Sequence, residues 1–356
     1  MAYTTIDDPS AYFQTTLFTG NDSARDITNG GNSDLQPDLI WVTSRSHGYN
    51  RGLFDSSRGV QKEIISNGTN GEATLTAGVS AFNSDGYSYN GANYNTNSYT
   101  FVAWQWKVNG GTKTTITESG NNPGGTYQVN TTSGISILDY VGTGAQGTIA
   151  HGLGKKPEAI LIKDRSADGD NWFVYHADLS ASDAVRLDTT DATAGDANRF
   201  ANTEPTTSVI TFGASGGTND DGNSTTAYAF NSVKGYSRFG AFNGNNSSDG
   251  TFVYLGFKPA WIMIKNRSTS HSNHDWIVFD TARHPLNPND AFMKINENSA
   301  ETTSGRNEID VLSNGFKCRS SYGDVNGGDG SAHFLYFAFA SQPFVSSEGV
   351  PATAGG

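Results

Sequence analysis

The fold is decided by a stretch that occurs three times, as QPDLIWVTSRS at residues 36–46, KPEAILIKDRS at 156–166 and KPAWIMIKNRS at 258–268. Each copy places a proline ahead of a short aliphatic run and ends in Arg-Ser. The repeated arginines lie 120 and 102 residues apart. Self-similarity at such a spacing indicates tandem structural repeats, each about 110 residues long.

The aliphatic run of each copy predicts a short strand that is buried on both faces, because it is apolar throughout and bounded by proline and polar residues. Aromatic segments at 99–106 and 333–340 alternate in the manner of further strands. The loops between them are rich in Asn, Gly, Asp and Ser, which favour turns. We therefore predict an all-β chain of three tandem antiparallel β-sandwich units of jelly-roll or concanavalin-like type.

The composition agrees with this class. Of the 356 residues, 16% are charged and 12% are aromatic, whereas an average domain has about 25% charged residues. Many aromatics and few charges argue against disorder and against a long coiled coil. The net charge of −12 argues against binding nucleic acid through a basic face. A single cysteine, Cys318, excludes a disulfide framework.

Targeting signals are not evident in the sequence. The N-terminal residues MAYTTIDD lack the basic and apolar regions of a secretion signal. No apolar run approaches the roughly 20 residues that span a bilayer. We expect a protein that is made in a cytoplasm and does not insert into membranes.

The repeat also predicts the domain boundaries. A stretch rich in Gly, Thr and Asn separates the first two copies and is typical of a linker. The predicted organisation is unit 1 at 1–109, a linker at 110–125, unit 2 at 126–233, unit 3 at 234–348 and a flexible tail at 349–356.

Residues at corresponding places in the copies are predicted to be structural anchors. They are Pro37, Pro157, Pro259, Arg45, Arg165, Arg267, Asp55 and Asp280. We expect Arg45 to pair with Asp55, and Arg267 with Asp280, since a bidentate pair of this kind can tie two strands together. The alternative is that these pairs clamp a ligand.

Aromatic residues in or beside the Asn- and Gly-rich loops are candidate glycan contacts. They are Tyr87, Tyr89, Tyr94, Trp104 and Trp106. A flat ring can stack on a sugar while neighbouring amides bond to its hydroxyls. Packing in the core is the alternative for each of them.

Enzyme motifs are not found. The seven histidines form no zinc-binding frame, and neither a nucleophile elbow nor a P-loop occurs. We therefore assign no catalytic, cofactor-binding or metal-binding residues. Calcium stays open as an alternative to plain turns in two loops, 168–170 and 324–329, where oxygen ligands recur at short spacing.

Several segments resemble a known group of proteins. AYTTIDDPSAYFQ at 2–14, FDSSR at 54–58, FNSDGY at 82–87 and the repeated Pro-to-Arg-Ser stretch resemble segments of uncharacterised virion structural proteins of marine bacteriophages. The resemblance covers most of units 1 and 3 and is thinner in unit 2. It implies β-sandwiches of the tail-fibre or capsid-appendage type, assembly in the host cytoplasm, a virion location and no enzymatic activity.

Our first hypothesis is a virion structural protein that forms a tail fibre, a knob or a capsid decoration and has a role in host attachment. Its partners would be other virion proteins, further copies of itself in a trimer, and a glycan of the host surface. One alternative is a polysaccharide depolymerase, which needs two carboxylates about 5–10 Å apart across a cleft. Another is a surface filament subunit that assembles head to tail.

Overall fold

The computed structural model describes residues 3–166, 168–327 and 332–353. Within these ranges the chain forms 28 strands and a short 3₁₀ helix, Pro9–Ala11. Every strand pairing is antiparallel, so the predicted all-β class is confirmed. None of the described residues forms a helix that is long and apolar enough to cross a membrane.

The first set of strands builds one six-stranded and one three-stranded sheet. Its strands are β1 (Phe13–Thr19), β2 (Arg25–Ile27), β3 (Leu39–Ser44), β4 (Gly52–Asp55), β5 (Lys62–Ile65), β6 (Ala73–Thr74), β7 (Val79–Asn83), β8 (Gly86–Tyr89) and β9 (Thr100–Trp106). The large sheet has the order β1-β9-β3-β4-β5-β6, and the small sheet has the order β2-β8-β7.

The second set builds one eight-stranded and one two-stranded sheet. Its strands are β10 (Thr114–Ile116), β11 (Gly124–Asn130), β12 (Ile135–Val141), β13 (Gly147–Ala150), β14 (Ala159–Asp164), β15 (Phe173–His176), β16 (Asp183–Arg186), β17 (Ala194–Gly195), β18 (Val209–Phe212) and β19 (Ser224–Phe230). The large sheet has the order β10-β11-β12-β19-β14-β15-β16-β17, and β13 pairs with β18.

The third set has the same plan as the first. Its strands are β20 (Ser237–Asn243), β21 (Phe252–Tyr254), β22 (Phe257–Asn266), β23 (Trp276–Asp280), β24 (Ala291–Lys294), β25 (Thr302–Thr303), β26 (Ile309–Leu312), β27 (Gly315–Cys318) and β28 (His333–Pro343). The large sheet has the order β20-β28-β22-β23-β24-β25, and the small sheet has the order β21-β27-β26.

The repeated sequence stretch forms an inner strand of each large sheet, namely β3, β14 and β22. All six residues of β3 and all six of β14 are buried. The prolines Pro37, Pro157 and Pro259 are buried as well. Pro259 lies at a register shift in the pairing of β22 with β28, a place where a strand tolerates a residue without an N–H.

Each large sheet is covered on both faces. Its outer face packs on the small sheet of the same set, as Ile40 and Phe54 do against Tyr87 in the first set. Its inner face contributes to one apolar cluster, the central core, which all three sets share. The central core includes Trp41, Trp104, Trp106, Leu161, Tyr228, Phe230, Trp261, Met263, Phe337 and Phe339.

The second set differs from the others through the stretch 110–125, which the sequence predicts to be a linker. It contributes β10 and the beginning of β11, and these two strands extend the second large sheet beyond β12. Gly125 lies where a Cβ atom would come within 2.2 Å of the carbonyl oxygen of Asp139. A glycine there therefore permits the close approach of β11 to β12.

The shared central core predicts that the chain unfolds as one unit. We expect a single calorimetric transition whose van't Hoff and calorimetric enthalpies agree. A fragment of residues 126–233 should lack a fixed tertiary structure or self-associate, because its inner face would expose Leu161 and Tyr228 to water. Three separate transitions, or a folded monomeric fragment, would contradict this prediction.

Candidate functional site

The three sets contact one another through backbone hydrogen bonds that repeat in a cycle. In each, an N–H near the far edge of one large sheet donates to the carbonyl of a repeated arginine in another set. The bonds are Glu72 N to Arg165 O (2.9 Å), Thr193 N to Arg267 O (3.1 Å) and Glu301 N to Arg45 O (2.8 Å). The first set thus bonds to the second, the second to the third and the third to the first, which closes a ring.

The arginine side chains reinforce two of these three junctions. Arg45 donates two hydrogen bonds of 3.0 Å to the two carboxylate oxygens of Glu301. Arg165 lies 3.4 Å from Glu72 and also bonds Asp139. At the third junction Thr193 stands where the other two have glutamate, and Arg267 forms no ion pair with a described residue.

The predicted pairing of these arginines with Asp55 and Asp280 is wrong. Asp55 instead accepts a hydrogen bond of 2.6 Å from Arg58, three residues further along the chain, and both side chains are buried. Asp280 pairs with Arg283 in the same way. A turn that follows each strand directly brings these local partners together, so they are closer than the repeated arginines.

Both buried aspartates also reach across to an aromatic side chain of another set. The hydroxyl of Tyr228 donates to Asp55 (2.7 Å), and the indole N–H of Trp104 donates to Asp280 (3.0 Å). At the corresponding place in the second set the residue is His176, whose ring meets that of Phe337 edge to face at 5.6 Å. The anchors Asp55 and Asp280 therefore join different sets in addition to pairing with Arg58 and Arg283 of their own set.

A third cycle of contacts involves residues at the beginning of β4, β15 and β23, where two directly precede their strand and Trp276 is the first residue of β23. The indole N–H of Trp172 donates to the carbonyl of Ile65, and that of Trp276 donates to the carbonyl of Arg186, both at 2.7 Å. The equivalent residue of the first set is Arg51, which donates through Nε to the carbonyl of Lys294 at 2.7 Å. Burial lowers the pKa of Arg51 to about 10.

The five aromatic residues predicted to contact glycans are all buried, so this prediction is corrected. They are Tyr87, Tyr89, Tyr94, Trp104 and Trp106, and each is at most 2% exposed. The tyrosines pack between the sheets of the first set, and the two tryptophans lie in the central core. A ring enclosed in this way offers no face to a sugar.

Carboxylates from the second set form the group that most resembles a cation site. One oxygen each of Asp164, Asp170 and Asp220 lies within 4.8 Å of the others. Both oxygens of Asp164 already accept hydrogen bonds, from Ser166 N and from Asn223 Nδ2. Burial, followed by the charge of Asp164, raises the pKa of Asp170.

The aspartates of the two loops for which the sequence leaves calcium open, 168–170 and 324–329, have different surroundings in the structure. Asp168 accepts a hydrogen bond from the N–H of Gly71 at 2.8 Å, whereas Asp170 belongs to the group with Asp164 and Asp220. In the other loop Asp324 is buried, and burial together with the charge of Asp275 raises its pKa to about 7. Asp329 lies outside the described residues.

An exposed aromatic pair that the sequence analysis does not predict lies on β21, in the small sheet of the third set. Phe252 and Tyr254 on β21 are 45% and 47% exposed, while Val253 between them is buried. Residues 252–254 read Phe-Val-Tyr, with no polar residue to mark which face of the strand is exposed, so the sequence pattern does not identify this pair. The hydroxyl of Tyr3 lies 3.3 Å from that of Tyr254.

Two cations border this aromatic pair. Arg238 donates to the carbonyl of Tyr254 at 2.9 Å, and the ammonium of Lys234 lies 4.3 Å from the ring centre of Tyr3. Both cations are exposed, and neither lies within ion-pair distance of a described carboxylate. The surface defined by Tyr3, Lys234, Arg238, Phe252 and Tyr254 is called the aromatic–basic surface below.

Comparison with known proteins gives one match. A family model described as a domain of unknown function, DUF7483, matches residues 8–343. The matched region begins shortly ahead of β1 and ends with the last residue of β28, so it contains all three sets of strands. No curated protein and no solved structure matches the chain.

His176 is predicted to make the folded chain sensitive to acid. Burial lowers its pKa to about 4, whereas the unfolded chain takes up the proton near pH 6.5. Stability from this group is therefore complete above pH 6.5 and is lost as the pH falls towards 4, by up to about 3 kcal/mol. His176→Asn should flatten the fall in melting temperature between pH 7 and pH 4.5.

The matched control for this prediction is His271→Asn, since His271 is exposed in a loop. Its melting temperature should follow that of the unmodified chain at every pH. Parallel curves for His176→Asn and the unmodified chain would show that His176 does not cause the acid sensitivity.

Proposed function

Because the chain belongs to the DUF7483 family of unknown function, we propose a function from its own sequence and structure: a non-enzymatic structural protein of a bacteriophage virion. It would form part of a surface appendage such as a tail fibre, a knob or a capsid decoration. The sequence segments that resemble marine bacteriophage virion proteins support this proposal. The use of its buried charged anchors in contacts between sets supports a structural role.

The ring of three sets suits such a role. Three similar sets arranged in a closed ring give one chain the threefold character that a trimeric appendage has. A single copy can therefore occupy a threefold position on a particle, and the predicted homotrimer is a second way to do so. Its attachment to the particle would use other virion proteins as partners.

The aromatic–basic surface carries the proposed role in host attachment. Exposed aromatic rings two residues apart on one strand lie on the same face, about 7 Å from each other, where they can stack on consecutive sugars. Lys234 and Arg238 beside them supply positive charge without a described counter-ion. We propose that this surface binds a glycan of the host envelope that carries carboxylate groups.

The virion location predicts that antibodies raised against the purified chain label intact particles in electron microscopy. Labelling over the whole shell would indicate a capsid decoration, and labelling at one vertex a tail appendage. An unrelated antibody is the control. Particles that carry no label, together with purified chain that polymerises on its own, would favour the filament alternative.

The glycan role predicts that Phe252→Ala combined with Tyr254→Ala weakens binding to a polyuronate such as alginate by about tenfold, since each lost aromatic contact is worth about 0.5–1.5 kcal/mol. Affinity electrophoresis of the purified chain measures the effect, with neutral dextran as the second polymer. Tyr322→Ala, an exposed tyrosine on the loop after β27, is the matched control. Equal retention of both variants, or release of reducing sugar, would contradict the proposal.

A further inference from the structure

The strands β1, β12 and β20 take equivalent places in the three large sheets, but what lies against their outer edges differs. Phe13 of β1 pairs with Trp106, and Ile135 of β12 pairs with Phe230, at matching positions of the two sheets. The edge of β12 is occupied by β11 over its whole length. Among the described residues, no strand pairs with the corresponding edge of β1.

A cavity of about 530 Å³ follows this open edge, between the first and third sets. None of the described residues that line it is charged. Its lining includes Phe13, Thr15, Leu17, Gly30, Thr281 and Ala282. We call this cavity the β1 groove.

The backbone of β1 directs unused hydrogen-bonding groups into the groove. The carbonyl of Tyr12 accepts from Lys107, and the N–H of Gly20 donates to Tyr99, both on the β9 side. Because successive residues of an antiparallel strand alternate in direction, the N–H and C=O groups of Thr15 and Leu17 point away from β9. Such an edge is a template for a further strand.

The second set shows what an occupied groove looks like. There β11 lies between β12 and the first set, and the buried Gln128 donates to the hydroxyls of Ser56 and Ser57 at 2.8 and 2.7 Å. The residues equivalent to these serines are Thr281 and Ala282, which line the β1 groove. The β1 groove and the groove that β11 fills are thus built from corresponding positions.

Two equivalent glycines mark the difference between the grooves. A Cβ atom on Gly152 would lie 2.3 Å from the ring of Tyr127, a residue of β11. A Cβ atom on Gly30, its counterpart in the first set, would have no atom of a described residue within 4 Å beyond its chain neighbours. Among the described residues, no side chain covers Gly30 as Tyr127 covers Gly152.

The third edge is closed within its own set. The N–H of Ser237 donates to the carbonyl of Val233, and the N–H of Phe239 donates to the hydroxyl of Ser232. Of the three equivalent edges, one is therefore filled by β11, one is capped by the turn ahead of β20, and that of β1 pairs with no strand in the part of the chain that the structure describes.

We propose that the β1 groove accepts an extended segment of a second protein, which adds to the first large sheet as a strand antiparallel to β1, as β11 does to β12. Strand addition of this kind gains its affinity from backbone hydrogen bonds and its specificity from alternate side chains. The segment is about seven residues long and uncharged. It places a bulky side chain over Gly30 and a small apolar one against Ala282.

The test uses a fluorescent heptapeptide that copies residues 124–130 and carries Gln128→Val, added to the full chain. Fluorescence anisotropy should show saturable binding, and hydrogen exchange at the amides of Thr15 and Leu17 should slow when the peptide is bound. Thr15→Pro removes one outward N–H and should weaken binding at least tenfold. Gly30→Phe places an aromatic ring where the bulky side chain of the peptide would lie, and it should also weaken binding at least tenfold.

Thr74→Pro on β6 is the matched control, because Thr74 also directs its N–H away from its partner strand at a sheet edge. It should bind the peptide as the unmodified chain does. If Thr15→Pro does not fold, as judged by circular dichroism, Gly30→Phe decides. Absent binding, or equal binding to all variants, would overturn the proposal. So would a dimer in light scattering that Thr15→Pro dissociates, since the occupant would then be a second copy.

Discussion

The central core is the constraint on which the rest of the structure depends. Each large sheet is apolar on both faces, so a small sheet alone cannot cover it, and the inner face needs the other two sets. The contact between sets is heterologous, because the far edge of one sheet meets the repeated arginine of another. Heterologous contacts give a closed ring only when the rotations between successive units add up to a full turn, and here three sets complete that turn.

Much of the fold could be predicted from the sequence, whereas its long-range pairings could not. The repeated stretch identified β3, β14 and β22, since buried strands read as continuous apolar runs. The partner of Arg45 was missed because Glu301 lies 256 residues away, while Asp55 is close in sequence. Tyr87 and Tyr89 share one strand face, so period two could have predicted their burial together.

The three junctions share a geometry but not their residues. Arg51 replaces a tryptophan, His176 replaces an aspartate, and Thr193 replaces a glutamate, yet each keeps its place in the ring. In a ring of identical subunits every change would occur three times. Because the sets belong to one chain, each junction can change separately, and one edge can hold β11 while the equivalent edge of β1 stays open.

Covalent connection of the three sets also changes how the ring responds to dilution. Subunits of an oligomer separate when their concentration falls below the dissociation constant, and their stability depends on that concentration. In this chain all three contacts between sets form within one molecule, so the effective concentration of the sets is fixed by the connecting segments. The ring of three sets, which is held by pairs such as Arg45 and Glu301, therefore stays closed in a single isolated molecule.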